Sequence, residues 1–379
     1  MERAKRLQRT GFTAFFISGI CAISSGVVVS LLQEMYGFSY GITGTLLSFM
    51  SIGNMAASFA AGILPSRIGT RNTVAILCSG YFLGYLLMTL SGLTPVLMLA
   101  FCMVGIAKGC ALNNCTVLVG NNSENRTRSM SLLHACYACG ALICPFVIAW
   151  MAARGQKVAM IAIAVLGAVM WFVFLQAKLP GKVQSDGKKE KLETAFLKSP
   201  KFWLLTGLLF CQNAAETSVT GWLVTYYRNQ QILSGALSTY TVTIMWGATL
   251  IARLLIAFVF PIRNTFRALA GMGLGCTVLY AAMMFSSQPL LAVAMLFAFA
   301  FAMAGVNPVA VAGVGKIMSP ASMGVMLPTA ALGAIVMPWI IGIVADTVSL
   351  QAGMVCNLVP CIGIMVLSVI LCRMENKAS

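Results

Sequence analysis

Charge is what this chain has least of. Only 9% of its 379 residues are Asp, Glu, Lys or Arg, just 9 are acidic, and 59% are hydrophobic. A soluble domain carries about 25% charged residues, so most of this surface cannot face water. Histidine is nearly absent too: His134 is the only one, and Cys136 and Cys139 beside it scatter around a helix rather than converge. A metal site needs three or four converging ligands, so no metal is expected. There is no nucleotide-binding loop, no Ser/His/Asp set and no pair of carboxylates. An ATP-driven pump or an intramembrane hydrolase therefore has no support, and no cofactor and no enzyme activity are expected. The 13 cysteines, such as Cys21, Cys78, Cys102, Cys211 and Cys361, lie in apolar runs and read as small hydrophobes, not as a disulfide framework. A cleavable signal is also missing: the first apolar run outlasts a signal core and lacks a cleavage site, so it reads as a true first helix.

What is there is a series of apolar runs of helix-spanning length. They fall at 11–35, 41–64, 73–92, 95–120, 129–152, 157–178, 202–226, 234–260, 264–286, 289–314, 322–345 and 350–372. The expected fold is an all-α membrane protein of twelve transmembrane helices in two pseudo-symmetric six-helix bundles. The net charge of +16 suggests nucleic acid, but position argues against it. Arg3, Lys5, Arg6, Arg9, Arg67, Arg71, Arg126, Arg128, the lysines from Lys178 to Lys201, Arg263, Arg267, Lys316, Arg373 and Lys377 all fall on one side. The other side holds Arg154, Lys157 and Arg228. By the positive-inside rule both termini are cytoplasmic, in a plasma (inner) membrane crossed many times. The partners expected are the bilayer and a small molecule, with no nucleic acid, for a monomer.

Residues 129–145 and 322–338 are the same helix written twice. Ser129, Met130, Ala138, Gly140, Ala141 and Pro145 recur as Ser322, Met323, Ala331, Gly333, Ala334 and Pro338. The same offset carries Asn114 onto Asn307 and Gly120 onto Gly313. Half-chain duplication in so apolar a sequence points to a transporter built from two related bundles. The division expected is a bundle over 1–178, a polar linker over 179–201 and a second bundle over 202–379. Within the linker, Leu192–Lys198 could form a short surface helix; a plain solvated tether is the favoured reading. Gly80 with Gly84, and Gly105 with Gly109, are spaced to share one helix face, letting neighbouring backbones approach.

The loop after the second span reads Gly62-Ile-Leu-Pro-Ser-Arg-Ile-Gly-Thr-Arg71. It resembles the major facilitator superfamily signature G-x-L-x-D-R-x-G-R-K, with Gly62, Leu64, Arg67, Gly69 and Arg71 matching and Ser66 in place of the acid. In that family the motif helps latch the cytoplasmic side, so Gly62, Arg67, Gly69 and Arg71 are expected to form a gating motif that lacks its Asp. The seventh span, Gln212-Asn-Ala-Ala-Glu216-Thr-Ser-Val-Thr-Gly221-Trp222-Leu-Val-Thr-Tyr226, looks like the fucose–galactose–glucose:proton symporter branch. The fifth, from Leu132 to Pro145, resembles the same branch's small-residue helix. The branch's acidic residues in helices one and four have no match here. The resemblance implies the major facilitator fold, with helices one, four, seven and ten around a central cavity. It also implies proton-coupled uptake of a monosaccharide by alternating access.

Glu216 is the only acidic residue deep within a span. At ~1.5 Å per residue it lies roughly 17 Å from the outer end of its helix, and Lys108 roughly 20 Å from the outer end of the fourth. An unpaired charge at that depth costs ~2.5–3.5 kcal/mol on insertion scales, so a pair or a wet cavity is expected. In the functional reading Glu216 takes up and releases the coupling proton, with Lys108 its partner; in the structural one they are a permanent ion pair. Gln212, Asn213, Thr220 and Tyr227 lie within about 60° of Glu216 on a helical wheel. Amides, hydroxyls and an aromatic face suit a polyhydroxylated ligand, so Gln212, Asn213, Thr220 and Trp222 are candidate contacts. Asn114 and Asn307, equivalent by the repeat, are further candidates, although buried Asn also glues helices together. Tyr226 reads as part of an interfacial aromatic belt. Arg253 is expected to snorkel or to bond a neighbouring loop.

Three competing readings remain. Lys108 could bind the carboxylate of an organic anion directly. Glu216 could attract lipophilic cations in drug efflux by proton antiport. A transporter-like sensor would bind without translocating. Sodium is the alternative coupling ion.

Overall fold

The computed structural model describes residues 2–124, 126–177, 179, 195–259, 262, 264–313 and 320–378. All of its regular structure there is helical. The helices are α1 (Glu2–Tyr36), α2 (Tyr40–Ile68), α3 (Thr70–Cys78), α4 (Gly80–Leu90), α5 (Thr94–Asn121), α6 (Arg126–Ala152), α7 (Gln156–Gln176), α8 (Pro200–Asn229), α9 (Gly235–Thr239), α10 (Thr241–Phe258), α11 (Thr265–Met284), α12 (Pro289–Met303), α13 (Val306–Gly313), α14 (Pro320–Thr347), α15 (Leu350–Cys356) and α16 (Leu358–Ala378). Among the described residues 10 stretches are long and apolar enough to cross a membrane. α2 and α8, of 29 and 30 residues, also reach spanning length and carry more polar side chains, among them Asn54 in α2 and Gln212, Asn213 and Glu216 in α8. This is an all-α, multi-pass membrane protein.

Local chemistry sets the ends. α5, α8 and α12 open on proline, whose missing N–H costs nothing in a first turn. Asn264 caps α11 by accepting from the Arg267 N–H at 3.0 Å, and Ser349 caps α15 by accepting from Ala352 at 3.1 Å. The third, eighth, tenth and twelfth expected spans are each interrupted once, at Ser79, Tyr240, Ala304–Gly305 and Asn357.

Cα proximity divides the chain into two compact units. The first comprises Met1–Phe38 and Thr45–Gly187, the second Ser39–Gly44 and Lys188–Ser379. α2 thus begins in one and continues in the other. In the first unit, α1 and α6 form the most extensive pairing, and a Cβ at Gly140 of α6 would run into the Phe16 carbonyl of α1. In the second, α8 and α14 do the same, and a Cβ at Gly333 of α14 would run into the Phe210 carbonyl of α8. The duplicated glycines therefore play one role twice, as backbone-contact points between a proline-containing helix and its neighbour. Gly80 and Gly84 likewise bring α4 against α5.

The linker is less of a tether at its end than its polarity suggests. Ala195–Lys198 forms a single 3-10 turn, and Phe196 is buried with its ring 4.8 Å from that of Phe202. The Trp203 indole N–H donates to the Leu197 carbonyl at 2.8 Å. An apolar side chain and a donated hydrogen bond anchor this turn on α8. Residues 180–194 lie outside the described residues, as do Arg263 and Lys316.

Candidate transport site

α8 brings the polar residues of the seventh span together. Gln212 is 1% exposed, deep among helices, and an amide buried there must find partners for both of its ends. It does: Asn307 Nδ2 of α13 donates to Gln212 Oε1 at 3.0 Å, and Gln212 Nε2 donates to the Glu216 carboxylate. The result is a relay from an amide through an amide to an acid. The bond to the carboxylate is charge-assisted when Glu216 is ionised. Thr220, one turn on, donates to the Glu216 backbone carbonyl at 2.8 Å, and its hydroxyl also lies 3.8 Å from Met245 Sδ. Glu216, Asn307 and Thr220 are partly exposed.

Asn307 reaches Gln212 from beside a helix break. α12 ends at Met303 and α13 restarts at Val306. Pro308 has no N–H to give to the carbonyl four residues back, at Ala304, which is left needing a donor. Arg253 Nε of α10 supplies it at 3.4 Å. Arg253 thus holds the break that carries Asn307, which is the loop-bonding reading of that residue and not the snorkelling one.

The other candidates fall elsewhere. Asn213 turns toward α14, donating to Leu209 at 2.9 Å in its own helix and to Ala330 at 3.4 Å. Trp222 is fully buried and donates its indole N–H to the Pro338 carbonyl at 3.2 Å. Tyr226 is no belt residue. It is 1% exposed and its hydroxyl lies 3.4 Å from the Met284 carbonyl, so the aromatic run at the end of α8 packs inward. Tyr227 is also buried, donating to Ala292 at 3.0 Å.

In the first unit, Lys108 is partly exposed on α5 between two close approaches to α2. A Cβ at Gly105 would meet the Met50 carbonyl, and one at Gly109 the Asn54 carbonyl. Asn114 donates to Cys110 at 2.9 Å and lines a cleft with residues of α3 and α7. Its surroundings differ from those of Asn307, so the repeat preserves the residue and not its neighbours. His134 is exposed, with its ring edge-on to Phe15 at 5.8 Å. The gating motif folds as helix–turn–helix: Arg67 lies in the last turn of α2, Arg71 in the first turn of α3, and Gly69 joins them at φ +86°, where side chains are strained. Gly62 lies in the last turns of α2.

One group went unnoticed in the sequence. Asp346, near the end of α14, accepts from the backbone N–H groups of Tyr40 and Gly41 at 2.7 Å each, capping the start of α2. An acid just beyond the duplicated helix was the available signal.

Membrane-spanning helices with a carboxylate and amides at mid-span are the construction of a membrane transporter. The chain belongs to the Major Facilitator Superfamily, whose family model matches residues 11–327. Members of that family are transporters and not enzymes. Over 204 residues the chain is 24% identical to a gallate transporter of Pseudomonas putida, a match spanning 50% of this chain and 45% of that one. The nucleoside transporter NupG has a similar structure, at 15% identity with a TM-score of 0.75 over 99% of both chains. A mutant of it reaches 0.79 at 14% identity over 97% of this chain and 99% of that one. A bacterial homologue of the human lysosomal transporter Spinster, in an inward-facing and occupied conformation, gives 0.73 at 12% identity over 98% and 96%. These structural likenesses establish the major facilitator fold across nearly the whole chain.

Proposed function

We propose that the protein takes up a small polyhydroxylated solute, a monosaccharide in the first instance, by proton-coupled alternating access, with Glu216 as the protonation site. The observation that carries this reading is the Asn307–Gln212–Glu216 relay. An ionised carboxylate only accepts hydrogen bonds, whereas a protonated one also offers a donor. Protonating Glu216 therefore changes what the relay can offer a ligand. Gln212 and Asn307 are the proposed ligand amides, with Asn213 and Thr220 contributing side chains; Trp222, bonded to Pro338, fixes α8 on α14 rather than touching the ligand. Lys108 and Asn114 are the proposed candidates within the first unit, and the Gly62, Arg67, Gly69 and Arg71 motif is the proposed gate on a cytoplasmic side. The assignment to a sugar also draws on the two-helix resemblance to sugar:proton symporters.

A second reading has its own support. The relative from Pseudomonas putida is named for gallate, an aromatic carboxylate, and Lys108 is a cation fit to hold one. Ligand competition in vesicles separates the two. A sugar carrier keeps part of its uptake in Lys108→Gln, and sugars displace its substrate. An anion carrier loses binding outright in that variant, and carboxylates displace its substrate. Displacement by lipophilic cations alone contradicts both readings and favours efflux.

A further inference from the structure

One cleft takes no part in the transport reading beyond Asn114. It has a volume of about 140 Å³ and lies among α3, α5 and α7, lined by Thr70, Val74, Asn114, Val117, Leu118, Asn121, Asn122, Phe174 and Leu179. Its depth in the membrane follows from the helix ends. α3 begins at Thr70, α5 ends at Asn121 and α7 at Gln176, so three membrane-spanning stretches terminate around it. That is the depth of lipid headgroups.

Its lining is divided as a headgroup would need. Val74, Leu118 and Phe174 form a buried apolar floor, and Val117, 58% exposed, opens one side toward the acyl-chain region. Three amides and a hydroxyl stand around the floor: Asn114, Asn121, Asn122 and Thr70. Asn114 and Asn122 each donate an amide N–H to their own helix, to Cys110 at 2.9 Å and Leu118 at 2.8 Å. Their carbonyl oxygens can accept from the hydroxyls of a headgroup, and each amide has a second N–H. Arg71, adjacent in sequence to the lining residue Thr70, and Arg67 at the end of α2 are both exposed and add positive charge to this end of the two helices. A space of this size suits a small polar headgroup and not a whole lipid.

We propose that this cleft binds an anionic phospholipid with a hydroxylated headgroup, phosphatidylglycerol being the simplest. The glycerol hydroxyls donate to the asparagine carbonyls, the phosphate lies toward the arginines, and one acyl chain runs over Val117. Lys and Arg near a membrane surface attract anionic headgroups electrostatically. The inference rests on the membrane-spanning fold; it shares Asn114, Arg67 and Arg71 with the proposed transport reading, and its test reads lipid retention and not transport.

The test is native mass spectrometry of the purified full chain in detergent. It is titrated with phosphatidylglycerol, phosphatidylethanolamine or phosphatidylcholine of identical acyl chains. Val117→Trp fills the open side, and Asn122→Leu removes one carbonyl acceptor. Wild type should retain one phosphatidylglycerol in preference to the other two lipids. Each variant should weaken that retention by about tenfold, the size of one well-placed hydrogen bond or its steric equivalent. Retention of the other lipids should not change. Thermal unfolding in lipid-free detergent checks that each variant is folded, and if Val117→Trp is not, Asn122→Leu decides alone. Equal retention of all three lipids overturns the proposal. So does preference for phosphatidylethanolamine, or phosphatidylglycerol retention unaltered in the folded variants.

Discussion

At the scale of single residues, Gln212 is the joint of the site, because it bonds both Asn307 and Glu216. Replacing it with leucine keeps most of the volume and deprives both partners of their bond. A buried polar group left without a partner costs about 1–3 kcal/mol, so Gln212→Leu should lower the unfolding midpoint and weaken ligand binding together. Thermal unfolding with and without substrate checks both. Trp222 should behave differently. Its N–H bond to Pro338 sits in the packing of α8 on α14, so Trp222→Phe should cost about 1 kcal/mol of stability and leave substrate affinity nearly intact. A large loss of affinity at unchanged stability would instead place it against the ligand. Glu216, Gln212 and Asn307 were legible in the sequence because a polar residue in an apolar span has to be explained. The partner of Arg253 was not, because it depends on a helix break at Ala304 that hydropathy does not register. Pro308 was the signal for that break.

Among elements, the crossings matter more than the helices themselves. Gly140 and Gly333 stand where a side chain has no room, against the carbonyls of Phe16 and Phe210. Gly333→Leu should force α14 off α8, at the ~1–3 kcal/mol typical of overpacking or more, and Gly140→Leu should do the same to α6 on α1. Matching losses of thermal stability would show that the repeat is structural as well as sequential. Asp346 acts at an element's end. Its carboxylate satisfies two orphan N–H groups of α2 and meets the positive end of that helix. Asp346→Ala should cost about 1 kcal/mol, the usual worth of an N-cap, and Asp346→Asn less, as read from unfolding midpoints. Span positions and the duplicated helix could be read from apolar runs and from repeated Gly and Pro. Which face of a helix meets which neighbour could not, as Asn114 and Asn307 show: packing partners depend on the rotation of each helix, which a repeat of residue types leaves open.

For the whole molecule, a chain with few charges spends one of its acids at mid-span, and the physics of the membrane makes that expensive unless it is used. The duplicated sequence, the paired glycine crossings and the family membership all describe one transporter construction. Within that construction this chain carries an amide relay ending on Glu216. The central claim is that this carboxylate carries the coupling proton. The most direct measurement is substrate-triggered proton movement into proteoliposomes, screened over sugars, nucleosides and small carboxylates, for wild type beside Glu216→Gln. The account predicts that a substrate moves protons with wild type, and that the Gln variant still binds and exchanges it but moves none. Proton movement that persists undiminished in Glu216→Gln would contradict the account and leave Glu216 a structural residue.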